Sequence, residues 1–230
     1  MTSTPAISKL NYLSAARAAI ASGVIGVLAV ASLIGYLIFR NPNYDLGILM
    51  ERFHDVGVIL QFLLLIPVAF GFYRLSHKLP HPISRYALNI GVGSLLLTSL
   101  CLLLIFFKIT SDILYMFPQG AFGVWLIYVN IKLKRILSTA LRWFGIIVGF
   151  GLALVGLFII CYVIFVSTAP LWIPVAPQEV QEKIPITSVN IFLHNYPLNI
   201  GSLLGVLMLP FWTVLSGISL QRKKYLSQSV

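Results

Sequence analysis

The sequence predicts an all-α, polytopic transmembrane helix bundle of six spans, and three observations predict it. First, of 230 residues 59% are apolar and 10% charged, with a mean hydropathy of +0.95. A water-soluble domain carries roughly a quarter of its residues charged, so this chain cannot cover its own surface against water. Second, several apolar stretches approach roughly 20 residues, the length that crosses a hydrocarbon core about 30 Å thick. Third, the basic residues fall in alternate connections between those stretches, as loops do when a chain crosses a membrane repeatedly.

The spans read as about 18–39, 52–74, 86–107, 113–131, 143–167 and 198–219, within one transmembrane domain over 1–230. The first holds Ala29-Val30-Ala31, an A-x-A pattern like a signal-peptide cleavage site, but apolarity continues to Phe39. That is longer than a signal h-region of roughly 7–15 residues, so an uncleaved span is expected. The second contains Pro67, which removes one backbone hydrogen bond and suggests a kink. The fourth is the shortest and carries Pro118 and Gly120 near its start.

Orientation follows from charge. Twelve of the sixteen basic residues lie at the N-terminus, in the second and fourth connections and at the C-terminus. The other four (Arg40, Arg52, Lys108 and Lys183) share the opposite side with all six acidic residues, Asp45, Glu51, Asp55, Asp112, Glu179 and Glu182. Both termini are therefore expected on the cytoplasmic side of the cell inner (plasma) membrane. The net charge of +10 does not point to nucleic acid, because no separate basic domain exists to hold a phosphate backbone. It reads as topology signals and contacts to anionic lipid headgroups. Cys101 and Cys161 each lie inside an apolar run and form no CxxC pair.

Between spans five and six lies an outer connection, 168–197, with prolines at 170, 174, 177, 185 and 197. It reads as a structured cap on the outer membrane surface, with a short helix from Pro177 to Lys183 and with Trp172, Phe192 and Tyr196 at headgroup level. A repeat is also visible. "WLIYVNIKLKR" (125–135) and "WTVLSGISLQR" (212–222) both read W-x5-I-x-L-x-R. Either helices 3–4 and 5–6 repeat one hairpin, or inward-running helices simply end in aromatic and then basic residues.

The candidate site lies in "MERFHDVG", 50–57. On a helix Glu51 and Asp55 are i,i+4 neighbours, and Glu51 and His54 are i,i+3 neighbours. A second Glu-x-x-His, which a di-metal bundle site requires, is absent from the sequence. A looser outer site of Glu51, His54, Asp55, Asp112 and His194 suits a ligand, a divalent metal or a proton relay. Against it stands the interfacial reading, in which the 18 residues from Val56 to Tyr73, apolar except for Gln61, nearly span the core alone. The charges then form a hydrated collar, with acids suited to a helix N-terminus. Lys108 and Asp112, also i,i+4, read as a solvated pair worth well under ~1 kcal/mol.

Other features concern packing. Gln61 and Asn89 suit hydrogen bonds between helices, with Asn89 alternatively lining a vestibule. "GIIVG" (145–149) and "GSLLG" (201–205) are GxxxG motifs, read here as contacts within the bundle rather than between copies. Zincin, nucleophile-elbow and Walker A signatures are absent from the sequence.

"GVWLIYVNIKLKRILSTALRWFGIIVGFGLALVGL" (123–157) resembles a large group of uncharacterised bacterial multi-pass membrane proteins. Their helices close on G-x-W-L…G-x-L-x-x-R and restart at a basic residue. "VAFGFYRLSHKL" (68–79) looks like the same family's aromatic-Tyr-Arg exit. The likeness covers 52–165 and the last helix, with Asn130 standing where the pattern has a small residue. It implies six helices and carries no catalytic residue, because that family has no established activity.

Three function classes follow. The first is a non-catalytic subunit or scaffold of a membrane complex, with a membrane-protein partner. The second is a carrier of a small or lipophilic molecule held under the 168–197 cap. The third is a membrane enzyme using Glu51, His54 and Asp55. The sequence identifies no cofactor.

Overall fold

The computed structural model of the chain describes residues 4–77, 79–111, 113–168 and 187–226. Its elements are α1 (Thr4–Phe39), α2 (Tyr44–Ser76), α3 (Arg85–Phe106), α4 (Met116–Lys132), α5 (Thr139–Phe165) and a composite last helix, α6, over 188–226. The expected short helix from Pro177 to Lys183 and the ring of Trp172 lie outside the described residues.

Five of these helices are long and apolar enough to cross a membrane. The chain is thus built as a multi-pass membrane protein, its apolar surface facing lipid. α4 has 17 residues and rises roughly 25 Å at 1.5 Å per residue, short of a full hydrocarbon core. Pro118 falls on its third residue, where no intrahelical donor is needed, so it starts the helix rather than breaking it. α2 runs unbroken through Pro67.

Side-chain caps set several helix starts. Asn43 accepts from Leu46 N–H (3.2 Å) and Ser84 from Ala87 N–H (3.1 Å). Ser138 and Thr187 cap α5 and α6 in the same way. The Asn43 cap moves the start of α2 eight residues before the expected 52, and the Thr187 cap starts α6 ten residues before 198. The described part of the outer connection, 187–197, is therefore largely a continuation of the last helix.

α3 ends in a left-handed turn. Lys108 has φ 56°, its N–H donates to Ile105 O (2.7 Å), and Ile109 N–H donates to Leu104 O (2.8 Å). This is the Schellman arrangement, with lysine where glycine is usual. The chain has left the helix by Lys108, so the i,i+4 geometry expected with Asp112 does not apply, and Asp112 itself lies outside the described residues.

One core cluster draws on all six helices, through Ala16, Phe62, Phe72, Leu95, Leu126, Leu152 and Trp212 among others. Its members include Leu75, Ile83, Leu133, Leu137 and Leu220, so it sits toward the end where the α2–α3 and α4–α5 connections lie. A smaller cluster of Phe158, Tyr162 and Leu193 joins α5 to the start of α6 at the other end. Trp125 and Trp212, expected at the interface if helix ends explain the W-x5-I-x-L-x-R likeness, are both buried in the main core. Trp125 packs on Gly91 of α3, while Trp212 packs on Phe72 of α2 (centroids 5.9 Å apart). The two hairpins thus use their matching tryptophans differently.

Glycines bring backbones together. A Cβ on Gly156 of α5 would come within 2.6 Å of Gly120 Cα in α4, and two turns back along α5 Gly149 meets the Gly123 carbonyl. Gly201 and Gly205 of α6 meet Gly151 of α5. Both GxxxG motifs are therefore spent within the bundle, as expected. Gly156→Val should lower the unfolding midpoint in detergent, by an overpacking cost of about 1–3 kcal/mol. Gly93→Ala, which meets nothing within 4 Å, should cause no loss in the same thermal melt. Lys108→Gly should stabilise the fold by about 1 kcal/mol, the left-handed penalty removed, and the same melts read it.

Candidate functional site

α2 carries the charged stretch two to three turns inside the helix, between Tyr44 and the apolar run. Asp45 sits in the first turn and is the acid that the helix N-terminus stabilises. Glu51 and Asp55 are beyond the reach of that partial charge, which falls off within one turn. Glu51 and Arg52 are exposed, and His54 and Asp55 are half-buried.

His54 points into the seam with α1. Its Nδ1–H donates to the Ala29 carbonyl, 3.0 Å away; a carbonyl only accepts, so the bond fixes the proton on Nδ1. The seam is built around this contact from small residues. A Cβ on Gly57, three residues further along α2, would meet Ala29 Cβ at 2.9 Å. One turn on, Gln61 lies over Gly26, and the Gln61 carbonyl accepts from Ser22 Oγ (3.0 Å). His54, Gly57 and Gln61 are spaced i, i+3, i+7, the positions that one helix face presents to a neighbour.

His194, by contrast, belongs to the seam between α5 and α6. Its ring packs edge-on against Phe158 (centroids 5.1 Å) and Tyr162 (5.9 Å). Its Nδ1–H donates to Asn190 O at 3.0 Å. Phe192 and Tyr196 are exposed and tilted together at 4.9 Å, a placement that suits headgroup level. Among the described residues no group of three His, Cys, Asp or Glu comes together to hold a metal. Of the five expected site residues, Glu51, His54 and Asp55 share one stretch of α2, His194 belongs to α6 and packs on α5, and Asp112 lies outside the described residues.

Polar groups deeper in the bundle bond within their own helices. Asn130 is fully buried, donates from Nδ2 to Leu126 O (2.9 Å), and fills the notch left by Gly145 of α5. Gly145 supplies the space that the Asn130 side chain occupies. Ser94, Thr98 and Ser99 donate back to carbonyls of α3 itself. Asn89 is exposed.

The sequence reading missed the irregular backbone of α6. The helix runs Ser188–Leu193, widens into a π turn at His194–Leu198, resumes over Asn199–Gly201, widens again at Ser202–Val206, and continues from Leu209 to Leu226. Pro197 lies in the first π turn and Pro210 just after the second. Each proline lacks the donor that a regular helix needs, and a wider turn accommodates the freed carbonyl. Those two prolines were the available signal. Thr213 Oγ1 donates to Pro210 O (2.7 Å), and Gly23 of α1 packs against the same carbonyl.

Comparison with models of known protein families, with curated proteins and with solved structures finds no match to this chain.

His54→Ala should lower stability by about 0.5–1.5 kcal/mol, the worth of one hydrogen bond across the seam. Glu51→Gln, at an exposed position, should leave the same thermal transition in place. Equal effects from both would count against a packing role for His54.

Proposed function

We propose that the chain is a non-catalytic helical subunit or scaffold of a membrane assembly, with α4 as a sixth span and both termini cytoplasmic. The observation that carries this reading is how His54, Gln61 and Asn130 are used. They sit in helix–helix seams, opposite Ala29, Gly26 and Gly145. His54 bonds across its seam, and the Gln61 and Asn130 side chains fill the notches at Gly26 and Gly145; a bundle interlocked in this way is suited to holding a shape that a partner recognises. The orientation rests on the placement of twelve of the sixteen basic residues in alternate connections and at the termini.

A lipid-facing groove between α4 and α5 suits such a role. It encloses about 260 Å³ and is lined by Phe117, Ala121, Val124, Ala153, Leu157 and Ile160 over the Gly120–Gly156 contact. Helices associate in lipid through close packing over small residues, which that floor offers. The carrier reading instead needs Glu51, His54, Asp55, Asp112 and His194 at the mouth of a cavity under the outer connection. The His54–Ala29 bond favours packing over that use.

Native mass spectrometry on protein extracted gently from its own membrane tests the reading. An assembly of defined stoichiometry is expected. Ala121→Trp, which fills the α4–α5 groove, should then reduce the partner's occupancy while leaving the thermal transition near that of the parent. A lone chain carrying a small-molecule mass would overturn the scaffold reading in favour of the carrier.

A further inference from the structure

The two connections at the basic end of the bundle enclose a cavity of about 310 Å³. One wall is Leu79, Pro80 and His81, from the turn between α2 and α3; the other is Lys132, at the end of α4, with Lys134 and Arg135 from the turn that follows. We propose that this cavity binds a phosphate group, carried by the headgroup of an anionic lipid.

Charge is the first argument. Three permanent cations and one imidazole line a single cavity. The sequence has no acidic residue between Asp55 and Asp112, or between Asp112 and Glu179. The carboxylates of α2 lie at least 20 residues before Leu75, roughly 30 Å along the helix at 1.5 Å per residue. That separation exceeds the Debye length of about 8 Å at physiological ionic strength, so those carboxylates do not neutralise the cavity. With no carboxylate of the described residues against it, the cavity favours an anion. Lysine and arginine together suit phosphate, arginine through its fork of donors and lysine as a point charge.

Preorganisation is the second. Both walls are pinned. Ser76 is fully buried, donates from Oγ to Tyr73 O (2.6 Å), and accepts from Ile83 N–H (2.9 Å). Leu79 N–H donates to Ser76 O (2.9 Å). Opposite, Leu133 is fully buried, and its carbonyl accepts from Ile136 and Leu137 N–H (2.9 Å each). Leu133 fixes the turn from inside, while its neighbours Lys132 and Lys134 line the cavity. Lys132 is further held over the Tyr128 ring, 5.6 Å from the centroid. A ligand therefore meets two turns already ordered rather than loops it must order.

The apolar side of the cavity selects a lipid. Leu79, Pro80 and the exposed Ile131 give the same cavity an apolar side, which suits a ligand with a phosphate and a hydrocarbon body. Basic pockets between helices on the cytoplasmic side are where anionic headgroups bind. Of the basic clusters expected to meet headgroups, this one lines a cavity with an apolar wall.

The test uses the full chain in detergent micelles, titrated with short-chain phosphatidylglycerol, with phosphatidylcholine of equal chain length, and with inorganic phosphate. Bound ligand is read by native mass spectrometry. The variant K134Q/R135Q removes two exposed cations of the cavity. R74Q/R85Q removes the same charge from exposed positions outside its lining. Phosphatidylglycerol should bind the parent about tenfold more tightly than phosphatidylcholine, and K134Q/R135Q should lose that margin, while R74Q/R85Q keeps it. If inorganic phosphate alone binds the parent and is lost in K134Q/R135Q, the phosphate site stands and its source is soluble. Equal weakening by both double variants, or no preference between the two lipids, would overturn the site.

Discussion

The close approach of α4 and α5 is the contact on which the rest of this bundle depends. In lipid the hydrophobic effect gives helices no reason to associate, since neighbouring acyl chains are as apolar as leucine. Association then rests on dispersion, which grows only when surfaces meet without gaps. Gly120 against Gly156 and Gly123 against Gly149 remove the side chains that would hold the two backbones apart. α5 repeats the device on its far side. Gly151 follows Gly149 by two residues, about 200° around a helix at 3.6 residues per turn, and it meets Gly205 of α6. One helix thus has two glycine faces and is gripped from both.

That grip explains why α6 tolerates irregular backbone. Unpaired carbonyls are costly in hydrocarbon and persist only where protein covers them. α6 has two π turns and two prolines within its apolar length, and the second π turn ends at Val206, just before Pro210. Gly151 of α5 covers it from one side, at Gly205, and Gly23 of α1 closes on the Pro210 carbonyl from the other. Thr213 bonds that carbonyl from within the helix. A straight helix would need none of these contacts, so the irregularity and the glycine seams are two halves of one arrangement.

Much of this was legible in the sequence because hydrophobic length and GxxxG spacing are local properties. The helices fall where apolar runs fall, and both GxxxG motifs serve contacts within the bundle. Helix starts were less legible, since Asn43 and Thr187 draw the polar residues after them into helix by capping. The polar notches were not legible at all. Nothing local to Asn130 announces that Gly145, fifteen residues on, leaves room for it, and nothing near His54 announces the Ala29 carbonyl. Such pairings depend on how two helices cross. The same limit applies to Lys108: its left-handed turn is a property of the chain's exit from α3, whereas the i,i+4 reading with Asp112 assumed that the helix continued.

The two ends of the molecule differ in what their charges are available to do. At the α1–α2 turn, acids and bases are mixed, and His54 is committed to the seam with α1, so the charged stretch behaves as part of a helix contact. At the opposite end, the cavity between the two connections is lined by basic groups with no carboxylate near in sequence. Coulomb repulsion among those cations weakens the packed state slightly unless an anion offsets it. The buried Ser76 and Leu133 nonetheless hold both turns in place beside it. Ordering these turns around like charge is unfavourable for an empty bundle and favourable for one that meets a phosphate there, which is why the basic end, rather than the mixed one, is where recognition should be sought.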